Sequence, residues 1–194
     1  MNAAEHALTE RAAAAPMLAQ VTQWASINSG TGNLAGLAKV AELLGHSFGV
    51  LPGAIRLVDP APEESVSPDG RTQTIQRGQH LHLSVRPTAN RRILLTGHMD
   101  TVFPADHAFQ TLREIEPGVI NGPGTADMKG GIAVMLAALT AFETSPDASA
   151  LGYDVLINSD EETGSASSAA LIAGLARGKL AALTYEPAAL PDGT

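Results

Sequence analysis

No cysteine occurs among the 194 residues, which excludes disulfides and thiolate metal sites outright. Any metal must therefore be held by His, Asp and Glu. Basic residues are also scarce, with 12 Lys and Arg against 20 Asp and Glu, for a formal charge of −8. No Lys/Arg cluster exists to neutralise phosphates, so no nucleic-acid partner is expected. Long apolar runs are lacking too. None approaches the roughly 18–20 residues of a membrane span, and no membrane partner is expected. Ala12–Ala15 is apolar, but Glu5, Glu10 and Arg11 interrupt any signal-peptide core. A cytoplasmic location is the resulting expectation.

Hydrophobic residues make up 44% of the chain and charged residues 16%, which suits one globular domain with a real core. Residues 3–25 carry Leu8, Ala12, Ala15, Leu18 and Val21 near helical spacing, interrupted by Pro16. Asn28-Ser29-Gly30-Thr31-Gly32-Asn33 is turn chemistry, and Asn33 can cap a helix bearing Leu34, Leu37, Val40, Ala41 and Leu44. Ala54–Val58 reads as a strand and Asp59–Arg71 as an exposed loop. Gln79–Val85 alternates, which predicts a half-buried strand near a sheet edge with His80 and His82 on its solvent face.

From residue 93 to 185 strands and helices alternate. Ile93–Gly97, Tyr153–Ser159 and Ala181–Tyr185 are apolar strands; Val119-Ile120 is a shorter one. Helices are predicted from about Lys129 to Glu143 and from Ser165 to Ala176. Such alternation argues for right-handed crossovers and an α/β fold with a mostly parallel central sheet.

Polar residues stand at every strand tip. His98 and Asp100 follow the first strand, Asp127 sits at a loop-to-helix junction, Glu161 and Glu162 follow the next strand, and Glu186 follows the last. Parallel strands put their carboxyl ends on one edge of the sheet, where ligands gather. One acid alone is most simply a loop residue or a helix cap; five at consecutive strand ends are not. A two-metal hydrolytic centre fits this inventory. His98, Asp127, Glu162 and Glu186 can supply ligands, Asp100 can orient His98, and Glu161 can take the proton of a metal-bridging water.

Four stretches carry a family resemblance: Gly97-His98-Met99-Asp100-Thr101-Val102, Asn121 through Gly131, Asn158-Ser159-Asp160-Glu161-Glu162-Thr163-Gly164-Ser165, and Tyr185-Glu186-Pro187. In order and spacing the chain resembles the M20 metallopeptidases, most closely their glutamate carboxypeptidase-like branch. The resemblance implies a three-layer zinc-peptidase-like domain with helices on both faces of the sheet. It implies two Zn2+ ions, with Co2+ or Mn2+ suited to the same donors. His98 and Glu186 would serve one ion and Glu162 the other, with Asp127 bridging and Glu161 as general base. A cis peptide bond would follow Asp127. Substrates would be small peptides or N-acyl amino acids.

The resemblance also implies parts that the 194 residues lack: a fifth ligand, a His from a C-terminal catalytic segment, and an inserted domain through which the full-length form dimerises. The expectation is that residues 1–194 are the N-terminal portion of a truncated di-zinc catalytic domain, ending in a turn at Pro191–Thr194. The alternative is an inactive or structural fragment binding at most one metal weakly. Two other motifs fail. Gly45-His46-Ser47-Phe48-Gly49 fits G-x-S-x-G, but a helix precedes the Ser where a strand is required. Gly174–Lys179 has one residue too few for a P-loop and is followed by Leu180 where Ser or Thr should stand.

Overall fold

The computed structural model describes residues 1–188; the turn expected at Pro191–Thr194 lies outside them. Helix α1 (Ala3–Ala13) and helix α2 (Met17–Ala25) are separated at Pro16, which has no amide hydrogen to continue the first helix. Helix α3 (Leu34–Phe48) buries Leu37, Val40, Ala41 and Leu44 of the stripe that its spacing predicts, and Phe48 beyond it, whereas Leu34 at its start is exposed. Asn33 starts it by accepting a hydrogen bond from Gly36 N at 3.1 Å, and its amide group donates to Asn28 O at 3.1 Å. Asn33→Ala is expected to cost about 1–2 kcal/mol, read as a lower urea midpoint with an unchanged slope.

Strand β1 (Ala54–Val58) follows, then β2 (Glu63–Val66) and β3 (Thr72–Ile75), β4 (His80–Val85) and β5 (Arg92–His98). Beyond them lie β6 (Arg113–Glu116), β7 (Val119–Asn121), helix α4 (Gly131–Phe142), β8 (Gly152–Asn158), helix α5 (Ala169–Ala176) and β9 (Ala182–Thr184). Five strands form the central sheet in the order β1-β4-β8-β5-β9. The sheet is mixed. β1, β4 and β8 pair antiparallel, while β8, β5 and β9 pair parallel. The parallel part coincides with the region of strand–helix alternation, where crossovers through α4 and α5 return the chain to the same end of the sheet.

β8 occupies the middle, and all seven of its residues are buried. Tyr153, Val155 and Ile157 share one face with Leu81, Leu83 and Val85 of β4; that face packs on Leu37, Leu44 and Phe48 of α3 and on Ile132, Met135 and Leu136 of α4. α5 lies against β5, and helices cover both sides of the sheet. Thr125–Phe142 is long and apolar enough by length and composition to cross a membrane. It contains Asp127 and Lys129, half of it is buried, and α4 within it supplies core side chains.

Two expectations are corrected. The segment 59–71 is not all loop: β2 and β3 pair as an antiparallel hairpin apart from the main sheet. A bidentate pair from Arg77 to Glu63, at 2.7 and 2.8 Å, fixes its base. β4 lies near a sheet edge, next to the edge strand β1, but it is buried on both faces rather than half-buried, and His80 and His82 are 0% and 4% exposed. Alternation showed that its two faces differ in polarity; both are covered. The G-x-S-x-G segment closes α3, with Gly49 as its C-cap and Ser47 Oγ donating to Leu43 O at 2.9 Å.

Candidate metal centre

The register of β5 against β8 places His98 beside Asn158. The segments after both strands therefore leave the sheet at the same edge, where Met99 N donates to Asn158 O at 2.8 Å. On the other side of β5, β9 runs parallel and delivers Tyr185 and Glu186 there. The turn Thr125–Gly130 leads into α4 and brings Asp127, whose backbone (φ −110°, ψ 101°) is not helical. The Asp127–Met128 bond is cis. Gly131 allows close approach of the last segment, since a Cβ there would lie 1.9 Å from Tyr185 O.

All six residues singled out in the sequence stand together. His98 is 1% exposed and forms the floor. Its Nδ1 lies 3.0 Å from Asp100 O and 3.3 Å from Asp100 Oδ1. Its Nε2 points to the carboxylates: 3.0 Å to Asp127 Oδ1, 3.8 Å to Glu186 Oε1 and 3.9 Å to Glu161 Oε2. Donor atoms of His98, Asp127 and Glu162 all lie within 4.8 Å of one another. Asp127, Glu161 and Glu186 are partly open to solvent, with side-chain exposures of 56%, 48% and 41%. The centre is thus a buried imidazole beneath a rim of carboxylates.

Asp100 does more than face the imidazole. Its buried carboxylate also accepts from Thr31 Oγ1 at 2.7 Å and from the backbone N–H of Glu161 and Glu162, each at 3.2 Å. Asp160, which sequence reasoning passed over, is fully buried. It accepts from Ser167 N and Oγ, both at 2.8 Å, and from Ser168 Oγ at 2.7 Å. Burial works to raise its pKa, but the hydrogen bonds of Ser168 and Ser167 hold it below the ordinary carboxylate value. The serines at 165, 167 and 168 after the acidic run were the available sequence signal.

Electrostatics mark the site as one that wants a cation. Burial, opposed by His98 but reinforced by Asp127, pushes Glu162 and Glu186 above their ordinary values. Burial also works against a charged His98, yet Asp100, Glu186 and Asp127 outweigh it and lift its pKa to about 9. A raised folded pKa gives stability that is complete below the unfolded value near 6.5 and is lost as pH rises through the folded one. Lys129 acts in the opposite sense above pH 8, because burial, opposed by Asp100, depresses its pKa to about 8. Metal-free protein is therefore expected to lose about 2 kcal/mol between pH 6.5 and 8, with little further loss above pH 8. Urea unfolding across that range checks this; His98→Gln should flatten the slope.

An imidazole nitrogen with several carboxylate oxygens is a donor set suited to zinc and similar dications, and the three clustered side chains fit such an ion. None of the other five histidines joins this cluster among the described residues. His82 is engaged by Asp154 and Arg56, and His80 by Ser159.

One imidazole and several carboxylates at the parallel strand ends of an α/β sheet make up a donor set for a divalent metal at one edge of the sheet. The sequence model of peptidase family M20/M25/M40 matches residues 94–193, slightly more than half of the 194 residues, and the chain belongs to this family. Carboxypeptidase G2 of Pseudomonas sp. (strain RS-16) is 32% identical over 115 residues, 59% of this chain and 28% of that protein. A succinyl-diaminopimelate desuccinylase of Methylobacterium nodulans is 42% identical over 83 residues, 39% of this chain and 20% of that protein. The matched regions thus span between a fifth and little more than a quarter of these relatives. Human carnosine dipeptidase 1 shares the fold with a TM-score of 0.71 at 17% identity, over 95% of this chain and 41% of that one. The M20 metallo-carboxypeptidase Sso-CP2 from Sulfolobus solfataricus does so at 0.67 and 17% identity, over 92% and 39%.

Proposed function

We propose that the chain carries the metal-binding core of a zinc-dependent hydrolase that cleaves the amide bond of small peptides or N-acyl amino acids. The observation that carries this reading is the convergence of His98, Asp127 and Glu162, with Glu161 and Glu186 within 4 Å of His98 Nε2. His98 and Glu186 would hold one ion, Glu162 the other, and Asp127 would serve both. When bound, such ions polarise the scissile carbonyl and lower the pKa of water.

The chain's own residues do the rest. His98 Nδ1 donates to Asp100 O and Nε2 faces the carboxylate rim, so a metal that displaces the Nε2 proton would meet a lone pair already aimed at it. Glu161 extends its carboxylate into the opening while its backbone N–H is held by Asp100 Oδ1. From there it can accept the proton of the attacking water at Oε2 and pass it to the departing nitrogen. A cavity of about 290 Å³ adjoins Asp127 and Glu162 and is walled by Phe103, Phe109 and Asn121, room for a small substrate. The names of the matched proteins, a carboxypeptidase, a desuccinylase and a dipeptidase, support this substrate class.

Equilibrium dialysis against zinc tests the centre. Wild type is expected to take up zinc, and Asp127→Asn to weaken uptake roughly a hundredfold or more, beyond the 10–100-fold typical of residues that only support ligands. Wild-type protein that retains neither zinc, cobalt nor manganese would overturn the reading. The stoichiometry separates it from an inactive domain that binds a single ion weakly.

A further inference from the structure

Among the described residues, the six-residue turn Asn28–Asn33 touches several segments around the metal centre, although it contributes none of the proposed ligands. Thr31 Oγ1 donates to Asp100 Oδ2 at 2.7 Å, the shortest contact that Asp100 makes. Thr31 N donates to Thr101 O at 3.3 Å and Ser29 O accepts from Thr101 N at 3.0 Å, so the turn extends the sheet edge beyond β5. Ser29 Oγ, fully buried, accepts from Lys129 Nζ at 2.8 Å, and Lys129 is itself 1% exposed. Asn28 Nδ2 donates to Phe103 O and to Gln110 Oε1, both at 2.9 Å. Gly30 allows the fit: a Cβ there would lie 2.3 Å from Phe103 O.

We infer that this turn sets the mutual placement of the ligand-bearing segments, with Thr31 and Ser29 as its positioning residues. Thr31 acts through Asp100. That carboxylate holds the His98 imidazole and the backbone N–H groups of Glu161 and Glu162 at once, so its orientation couples the end of β5 to the turn after β8. A carboxylate with one hydroxyl donor removed is free to rotate toward its remaining partners, and Glu161 and Glu162 move with it. Ser29 acts through Lys129, two residues after Asp127, and ties the third segment to the same frame. The inference rests on the metal-site reading for its consequence, but the coupling itself is a property of the chain.

Amide hydrogen exchange and zinc titration on Thr31→Val, Thr31→Ser and Ser29→Ala test it. Thr31→Val keeps the shape and removes the donor. It is expected to speed exchange at Glu161 and Glu162 at least tenfold, leave Val155 and Leu156 in β8 unchanged, and weaken zinc binding 10–100-fold. Thr31→Ser is expected to restore both the slow exchange at Glu161 and Glu162 and the zinc affinity. Unchanged exchange at Glu161 and Glu162 in folded Thr31→Val overturns the inference, whatever the protein does with zinc. Zinc uptake absent from wild type removes the metal-site reading alone. Should Thr31→Val not fold, Ser29→Ala decides: faster exchange of the Lys129 amide, which donates to Gly124 O at 3.0 Å, supports the role, and unchanged exchange overturns it.

Discussion

Replacing Glu161 by glutamine is expected to lower amide hydrolysis by about 10²–10⁴-fold, the range over which a positioned general base contributes, while zinc content stays at the wild-type level. The separation of the two effects follows from the roles proposed for the two glutamates. Glu161 Oε2 and Glu186 Oε1 lie at similar distances from His98 Nε2, 3.9 and 3.8 Å, and only Glu186 is assigned as a ligand. Glutamine is isosteric and keeps the backbone N–H that Asp100 Oδ1 accepts, so the turn carrying Glu162 keeps its anchor. What glutamine lacks is a lone pair basic enough to take a proton near neutral pH. Turnover of an N-acyl amino acid, measured beside metal content, checks this. Retained turnover removes Glu161 from the role of base. Loss of zinc together with turnover makes it a ligand instead.

The strand ends were legible in the sequence because apolar runs such as Ile93–Leu95 and Val155–Ile157 stop at abrupt clusters of charge. Once the crossovers were read as parallel, one edge of the sheet had to receive His98, Glu161, Glu162 and Glu186 together. The supports of the centre were not legible. Thr31 reaches Asp100 across 69 positions, and Asp100 reaches Glu161 across 61. No local pattern marks which of many buried hydroxyls will find a carboxylate at that distance. The hairpin at residues 63–75 had a local signal, Pro68-Asp69-Gly70, with Gly70 at φ 81° in the turn. The acidic and serine-rich flanks concealed it, because hydropathy alone does not separate an exposed strand from an exposed loop. His80 and His82 were misplaced on the same ground: polar alternation was taken to mean water, and on this sheet it means a polar interior.

That interior carries the second large effect. Asp154, the third residue of β8 and 1% exposed, accepts from Arg92 Nη2 at 2.5 Å and His82 Nε2 at 2.9 Å, and Lys179 Nζ closes on the same carboxylate. The tautomer of His82 follows from its neighbours. Arg56 Nε donates to His82 Nδ1 at 3.0 Å, so the ring proton is on Nε2 and is donated to Asp154. Burial works to raise the pKa of Asp154, yet the hydrogen bonds of His82, Lys179 and Ser84 hold it well below the carboxylate range. Asp154→Asn leaves Arg92 and Lys179 around a neutral amide. Removing one member of a buried ion cluster is expected to cost about 3–5 kcal/mol at pH 7, seen as a lower urea midpoint. The sign of the pH dependence is fixed as well. A depressed folded pKa gives stability that is complete above the unfolded value near 3.9 and is lost as pH falls below it, so wild type and variant should converge in acid. The metal centre should be spared. Asp154 stands four residues before Asn158, roughly 13 Å along the strand at about 3.3 Å per residue, and effects at such separations add independently. Folded Asp154→Asn is therefore expected to bind zinc within about twofold of wild type. Zinc affinity that falls in step with stability would mean that the two ends of β8 act as one unit.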